Sequence, residues 1–160
     1  KRARANFDNS PWAERLEVTQ TAVQEFEPAE KFDLIISNPP YFEDSLLSPD
    51  DRRSAARHTT AITFAEIDAA ARRLLTPQGH LSLILPVEQF EHFRAISQLH
   101  LARRCDVRFV EGGRVRRVMA EFSVAAPTSL IEESLSIETA ERGVFSDDYR
   151  RLTHDFYLKF

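Results

Sequence analysis

Residues 32–41 read Phe32-Asp33-Leu34-Ile35-Ile36-Ser37-Asn38-Pro39-Pro40-Tyr41, and both the fold class and the chemistry of the chain can be inferred from them. The first six residues predict a buried β-strand, because three aliphatic residues follow one another and two of them are β-branched. The two prolines end that strand, since neither can donate to a strand ladder and each fixes its own φ. Asn38 and Tyr41 are therefore predicted at the carboxyl edge of a sheet, where open α/β folds bind ligands.

The groups at this turn suit a planar ligand that carries an exocyclic amine. Asn38 Oδ1 and the Pro39 carbonyl oxygen could each accept one N–H of that amine, which would direct the nitrogen lone pair at an electrophile. Preorganised acceptors stabilise the charge that develops on the nitrogen. Tyr41 and Phe42 could stack on the ring, a contact worth roughly 1–3 kcal/mol per base. We therefore predict a catalytic turn formed by Asn38, Pro39, Pro40 and Tyr41; the alternative is a proline-stiffened turn that only ends a core strand.

Length and composition predict one ordinary globular domain. The chain has 160 residues, of which 42% are hydrophobic and 29% charged. No apolar stretch is long enough to span a membrane, and no charged leader precedes an apolar segment, so we expect no membrane partner and a cytoplasmic location. The single Cys105 allows no internal disulfide, and no histidine lies at metal-ligand spacing, so no metal site is expected. The net charge of −4 argues against a general nucleic-acid coat but permits a local basic patch.

The rest of the chain alternates between predicted strands and helices. Strands are predicted over residues 16–19, 80–86, 106–110, 115–124 and 134–139. Helices are predicted at the start of the chain and over residues 63–76, 88–100 and 147–158. Thr63 and Glu66 form a capping box for the second of these helices, and Pro77 with Gly79 is predicted to end it. The alternation, with its Gly112-Gly113 turn, predicts an α/β fold whose sheet is mostly parallel with one antiparallel return strand near the carboxyl terminus.

Four blocks of sequence resemble one family of enzymes. The blocks are Asn9-Ser10-Pro11-Trp12-Ala13-Glu14-Arg15, residues 32–42, Ala56-Arg57-His58-Thr59-Thr60 and Phe156-Tyr157-Leu158. The Asn-Pro-Pro-Tyr turn resembles that of amino-methyltransferases, and the four blocks together are similar to bacterial valine-tRNA adenine-N6 methyltransferases. The resemblance implies a class I methyltransferase (Rossmann-like) fold with S-adenosyl-L-methionine as cofactor. It also implies tRNA as partner, methylated on the adenosine 3′ of the anticodon.

The resemblance assigns further residues to the site. Relatives commonly carry an aspartate near the cofactor adenine at the position of Ala22. The implied cofactor contacts are Asn38, Ala22 and Val23. The implied substrate contacts are Tyr41, Phe42, Arg57 and His58, the last two on a predicted loop over residues 43–61. Because an alanine replaces the aspartate, the contact to the adenine is expected to differ from that of the relatives.

Two parts of such an enzyme have no counterpart in these residues. The family's glycine-rich turn, which cradles the methionine part of the cofactor, is not formed by any of the four glycines, and the acidic residue that ends the second strand is also missing. We therefore expect residues 1–160 to be the carboxyl-terminal two thirds of a single methyltransferase domain, truncated at its amino terminus and inactive alone. In the usual sheet order of that superfamily the two missing strands would lie between residues 16–19 and 32–37. The isolated chain is therefore expected either to self-associate through an exposed strand edge or to come from a longer polypeptide.

Three alternatives remain open from the sequence. The methyl acceptor could be glutamine N5 of a release factor, although the 10–15 block and the Phe156-Tyr157-Leu158 end argue against it. The chain could instead be a noncatalytic RNA-binding module of the same fold. Finally, a run of arginines could bind phosphate or form a solvated sheet face. These arginines are Arg103, Arg104, Arg108, Arg114, Arg116 and Arg117.

Overall fold

A computed structural model describes residues 2–39 and 62–157 of the chain as a five-stranded sheet with four α-helices. The strands are β1 (Phe32–Ser37), β2 (Leu75–Pro86), β3 (His100–Val110), β4 (Val115–Ser123) and β5 (Ile131–Glu138). The helices are α1 (Arg2–Asp8), α2 (Phe64–Leu74), α3 (Val87–Ile96) and α4 (Asp147–Thr153), and short 3-10 turns span Ala13–Arg15 and Val23–Glu25.

The strand order is β1-β2-β4-β3-β5. β1 is parallel to β2 and β3 is parallel to β5, whereas β4 is antiparallel to both of its neighbours. Four strands therefore run in one direction and the β3–β4 hairpin supplies the single reversed strand, which confirms the predicted mostly parallel sheet. We call the side where β1, β2, β3 and β5 end and β4 begins the carboxyl edge.

Helices α2 and α3 cover one face of the sheet. The covered face carries Leu81 and Leu85 from β2 and Val118 from β4, each fully buried. Phe93 of α3 packs edge-on against Phe122 of β4, with ring centroids 5.0 Å apart. The residues between these positions on the strands point to the opposite face, which we call the open face. There Ile36 of β1 retains 75% of its accessible surface.

The start of α2 follows the prediction and its end does not. Thr63 Oγ1 accepts from the Glu66 backbone N–H at 3.2 Å, and Glu66 Oε2 accepts from the Thr63 backbone N–H at 2.7 Å. This confirms the capping box. The helix ends at Leu74, because the chain from Leu75 onward pairs with β1. Gly79 lies inside β2, where an added Cβ would come within 2.9 Å of the Phe32 carbonyl oxygen, so a strand contact requires this glycine.

Two further predictions are wrong. Residues 16–19 are not a strand: no strand pairs with them in the described parts of the chain, and the Val18 carbonyl oxygen accepts from Arg4 Nη2 at 3.1 Å instead. β1 is a strand as predicted but is not buried, since Leu34 is 50% exposed. The reason is its position at the end of the sheet, with β2 as its strand partner among the described residues.

Several element bounds also shift. β3 and β5 begin earlier than predicted, at His100 and Ile131, because each extends its ladder with the neighbouring strand toward the amino end. The helices that follow β2 and β5 end earlier, at Ile96 and Thr153. None of these shifts moves an element to another place in the sheet.

Candidate active site

Asn38 lies at the carboxyl edge, directly after the last residue of β1. Ser37 pairs with Leu83 of β2, so Asn38 and Pro39 lie beside the last residues of β2. Asn38 is exposed and Pro39 is buried. Asn38 is therefore accessible from solvent, whereas a turn with a purely structural role could be fully buried. Five further predicted site residues lie outside the described residues; these are Pro40, Tyr41, Phe42, Arg57 and His58.

A cavity of about 390 Å³ lies between β1, α2 and the Val23–Glu25 turn. Asn38 and Pro39 line it at the end of β1, and Val23 lines it from the turn. The remaining lining is mostly aliphatic and aromatic, for example Ile35 and Leu74. An apolar cavity with an amide group beside it can hold a flat ring that carries polar substituents on one rim. We call it the β1–α2 cavity.

Two predicted cofactor contacts, Val23 and Asn38, thus line one cavity although 14 residues separate them in sequence. Ala22 lies directly before the Val23–Glu25 turn, with an exposed side chain and an extended backbone. It is adjacent to the cavity along the chain but does not line it. The structure therefore brings Val23 to Asn38 and leaves Ala22 beside them.

Arg73 holds the Val23–Glu25 turn against α2. Its guanidinium donates to the carbonyl oxygens of Phe26 at 2.6 Å, Val23 at 2.8 Å and Gln24 at 3.3 Å. One side chain thus donates to three backbone carbonyl groups of the turn, of which the Val23 carbonyl also accepts from the Phe26 backbone N–H at 3.4 Å. Sequence reasoning missed Arg73, since nothing in the local sequence distinguishes it from its neighbour Arg72.

Glu66 makes a second link between α2 and the same turn. Its Oε1 accepts from Gln24 Nε2 at 3.2 Å while Oε2 completes the capping box. The pKa of Glu66 is lowered, mainly by the hydrogen bond from the Thr63 backbone and then by those from the Thr63 and Gln24 side chains. The carboxylate is therefore ionised at neutral pH and serves both contacts at once.

A second depression of about 720 Å³ follows the open face and also reaches Asn38. We call it the open-face groove. Ile36, Ile84 and Met119 form its apolar floor, together with Cys105. The pKa of the Cys105 thiol is raised by burial and by the carboxylates of Glu133 and Asp106, so the thiol stays protonated and is a poor nucleophile.

Across residues 2–39 and 62–157, no three His, Cys, Asp or Glu side chains lie close enough together to bind a metal ion. Within the same ranges, no helix has the length and apolarity needed to cross a bilayer.

Comparison with known proteins gives consistent matches. Residues 3–110 match the family described as Eco57I restriction-modification methylase. The chain is 37% identical to the tRNA1(Val) (adenine(37)-N6)-methyltransferase of Parabacteroides distasonis, over 98% of this chain and 68% of that protein. It is 39% identical to the protein of the same name from Tolumonas auensis, over 99% of this chain and 67% of that protein.

A solved structure supports the fold. The crystal structure of a predicted O-methyltransferase from Agrobacterium tumefaciens superposes with a TM-score of 0.66 over 96% of this chain and 69% of that one. Its sequence identity is 17%, so this likeness concerns the fold alone. It agrees with the class I methyltransferase architecture expected from the sequence.

Proposed function

The chain belongs to the tRNA1(Val) (adenine(37)-N6)-methyltransferase family, and we propose that it provides the base-binding part of an enzyme that methylates N6 of adenine 37 in valine tRNA. The observation that supports this role is the position of Asn38, exposed at the carboxyl edge and lining both the β1–α2 cavity and the open-face groove. The proposal places the protein in the cytoplasm with tRNA as its partner.

The chemistry assigned to the turn addresses the weak nucleophilicity of an aromatic amine. The N6 lone pair of adenine is delocalised into the ring, so it must be localised before it can attack. Asn38 Oδ1 and the Pro39 carbonyl oxygen would accept the two N6 hydrogens and favour a pyramidal nitrogen. As the N–CH3 bond forms and the S–CH3 bond of the methyl donor breaks, positive charge would grow on the nitrogen next to these two oxygens, and one N6 proton would then pass to water. Tyr41 and Phe42 would hold the plane of the base.

S-adenosyl-L-methionine, when bound, supplies a methyl group on a positively charged sulfur. The β1–α2 cavity suits the adenine end of this cofactor, because its walls are mostly apolar and Asn38 adds one amide group. Val23 would contact that ring, and Arg73 would keep Val23 in place through the three carbonyl contacts. The glycine-rich turn that the family resemblance implies for the methionine end is not formed by any of the four glycines of this sequence. We therefore propose that residues 1–160 are the carboxyl-terminal two thirds of one methyltransferase domain.

Transfer of radiolabelled methyl groups tests the choice of acceptor. The enzyme as its gene encodes it is expected to label unmodified valine tRNA and to leave a release factor unlabelled. Labelling of the release factor alone would exclude the proposed function. Absence of cofactor binding in the same enzyme would favour the noncatalytic RNA-binding module.

Replacement of Asn38 tests the residue assignment. Asn38→Ala is expected to lower kcat by at least about 100-fold, the usual loss when one preorganised polar group at a reacting centre is removed. Cofactor affinity should stay nearly unchanged, because most of the cavity wall is apolar. Asn6→Ala, on the exposed surface of α1, is the matched control. A large loss of cofactor affinity in Asn38→Ala would contradict the acceptor role.

A further inference from the structure

The end of the β3–β4 hairpin concentrates positive charge in an acidic chain. Residues 108–117, which we call the basic hairpin, contain four arginines and one acidic residue, Glu111, whereas the whole chain has a net charge of −4. The arginines are Arg108, Arg114, Arg116 and Arg117. Gly112, with φ of 71°, makes the tight turn, and no atom lies within 4 Å of the position its Cβ would occupy. The tip therefore projects into solvent.

The arginine run 103–117 divides into two parts with different partners. Arg104 Nε lies 2.8 Å from Asp106 Oδ1, and Arg103 Nε lies 3.3 Å from Glu133 Oε2. These two charges are neutralised on the sheet. No salt bridge joins Arg114 or Arg116 to any residue of the ranges 2–39 and 62–157. The run is thus divided between two arginines paired with carboxylates on the sheet and two arginines near the hairpin tip that form no salt bridge within the described ranges.

The sheet topology places the basic hairpin at the same edge as Asn38. Ser37 of β1, Leu83 of β2 and Ala120 of β4 lie in one row across the sheet. Arg117 lies three residues beyond Ala120 toward the carboxyl edge, about 10 Å along the strand and two strand spacings, about 10 Å, away from β1. Asn38 and the basic hairpin therefore border the same side of the molecule, although 69 residues separate Asn38 from Arg108 in sequence.

One arginine of the basic hairpin rests on an exposed aromatic ring. The Arg116 guanidinium carbon lies 6.0 Å from the centroid of the Phe109 ring, which is 48% exposed. A cation–π contact at this distance limits the motion of the guanidinium without neutralising its charge. A planar guanidinium presents paired N–H donors that match phosphate oxygens.

We propose that the basic hairpin binds phosphates of the tRNA strand that carries the target adenine, an inference that rests on the proposed function. The strand would cross the carboxyl edge from Asn38 to Arg114 and Arg116. The base at Asn38 would then be selected by the turn, while the hairpin supplies sequence-independent affinity. Unpaired nucleotides of a loop can reach both places, because their bases are not held in a duplex.

The test compares charge removal on and off the hairpin in the enzyme as its gene encodes it. The double variant Arg114→Gln/Arg116→Gln is expected to raise KM for tRNA about 5- to 20-fold near physiological salt, with kcat and KM for S-adenosylmethionine within about 2-fold. The slope of log affinity against log salt should fall by about 1 per arginine removed. Arg94→Gln on α3 removes one charge elsewhere and should change neither quantity; Arg114→Lys/Arg116→Lys should retain most of the affinity.

Fluorescence anisotropy with a labelled anticodon stem-loop, without cofactor, measures the hairpin independently of methyl transfer. Weaker binding of the stem-loop by the glutamine double variant would support the assignment of phosphate binding to the basic hairpin, even if the wild type methylates another acceptor. If the wild type methylates tRNA while the double variant binds the stem-loop with unchanged affinity and salt slope, the hairpin assignment is wrong and the proposed function stands. Thermal unfolding provides the folding control. The lysine and glutamine double variants should unfold at the same temperature, so that weaker binding of the glutamine variant reflects its lost charges.

Discussion

The two faces of the sheet differ sharply in how completely they are covered. On the covered face, Leu81, Leu85 and Val118 have no accessible surface, and two phenylalanines of α3 close the layer above them. On the open face, Ile36 is largely exposed and the open-face groove runs across the strands to Asn38. The same strands form both faces: their alternation places the most apolar residues on one side, and α2 and α3 pack on that side.

This difference separates stability from function. Burial of apolar surface against α2 and α3 supplies the main favourable free energy of folding in the described part of the chain. Asn38 and the basic hairpin lie at the carboxyl edge, outside that packed layer. We therefore expect substitutions on the covered face to affect unfolding and substitutions at the edge to affect activity.

Phe93→Ala is expected to have the largest effect, and it tests most directly whether the covered face determines stability. Phe93 is fully buried and contacts Phe122 and Phe64 edge-on, at 5.0 and 5.6 Å between centroids. Its truncation should lower the free energy of unfolding by about 3–5 kcal/mol. Urea denaturation measures this, with Ile36→Ala on the open face as the matched variant, expected to change it by under about 1 kcal/mol. Equal losses in the two variants would refute the division between the faces.

Asp68→Ala should have the next largest effect, because it removes a buried carboxylate that joins two covering elements. Asp68 of α2 accepts from Ser97 Oγ at 2.6 Å, from the Gln98 backbone N–H at 3.0 Å and from Arg72 Nε at 2.8 Å. We expect a loss of about 2–3 kcal/mol, since two of the three donors are left in a partly buried place. Chemical denaturation measures it. Asp147→Ala at the exposed start of α4 should stay close to wild type.

Glu66 gives a smaller, pH-dependent effect at the start of α2. Its pKa is lowered in the folded protein, so its stabilisation is present above the ordinary value of 4.5 and is lost as the pH falls through the lower folded value. Glu66→Gln should therefore be less stable than wild type at neutral pH, and the gap should close in acid. Urea midpoints for both proteins from pH 7 down to about pH 3 measure this. A gap that persists at the lowest pH would contradict the hydrogen-bond origin.

The smallest effect on stability is expected for a substitution on the exposed side of β1. Ile36→Lys should barely change the urea midpoint, because the side chain is already mostly exposed. It should reduce self-association of the 160-residue chain, since a charge on an exposed edge strand opposes pairing with another chain. Light scattering at rising protein concentration measures this. A wild-type chain that stays monomeric throughout would show that the edge does not drive association.

Features that depend on neighbours in sequence were predictable. The capping box needs only Thr63 and Glu66, three residues apart, and both hydrogen bonds are present. The alternation of Val118, Ala120 and Phe122 likewise identified the buried side of β4. Predictions failed where a partner far away in sequence determines the outcome. Residues 16–19 alternate like a strand but have no strand to pair with among the described residues. Residues 75–79 are not helical, because the chain pairs with β1 from Leu75 onward.

The candidate site divides in the same way. The Asn38-Pro39 turn was visible because its residues are consecutive. The contact of Arg73 with the Phe26 carbonyl spans 47 residues, and no local pattern indicates it. The proximity of the basic hairpin to Asn38 follows only from the strand order, in which β4 is inserted next to β2.

That inserted strand also governs the order of events during translation. β4 lies between β2 and β3 but leaves the ribosome after both. A nascent chain that ends at residue 110 contains β2 and β3 but not β4, the strand that pairs with both of them. Until β4 is made, β2 and β3 cannot take their final positions in the sheet. Until residues 115–123 emerge, the inner edges of both strands stay unprotected, which is when chaperone contact would matter most.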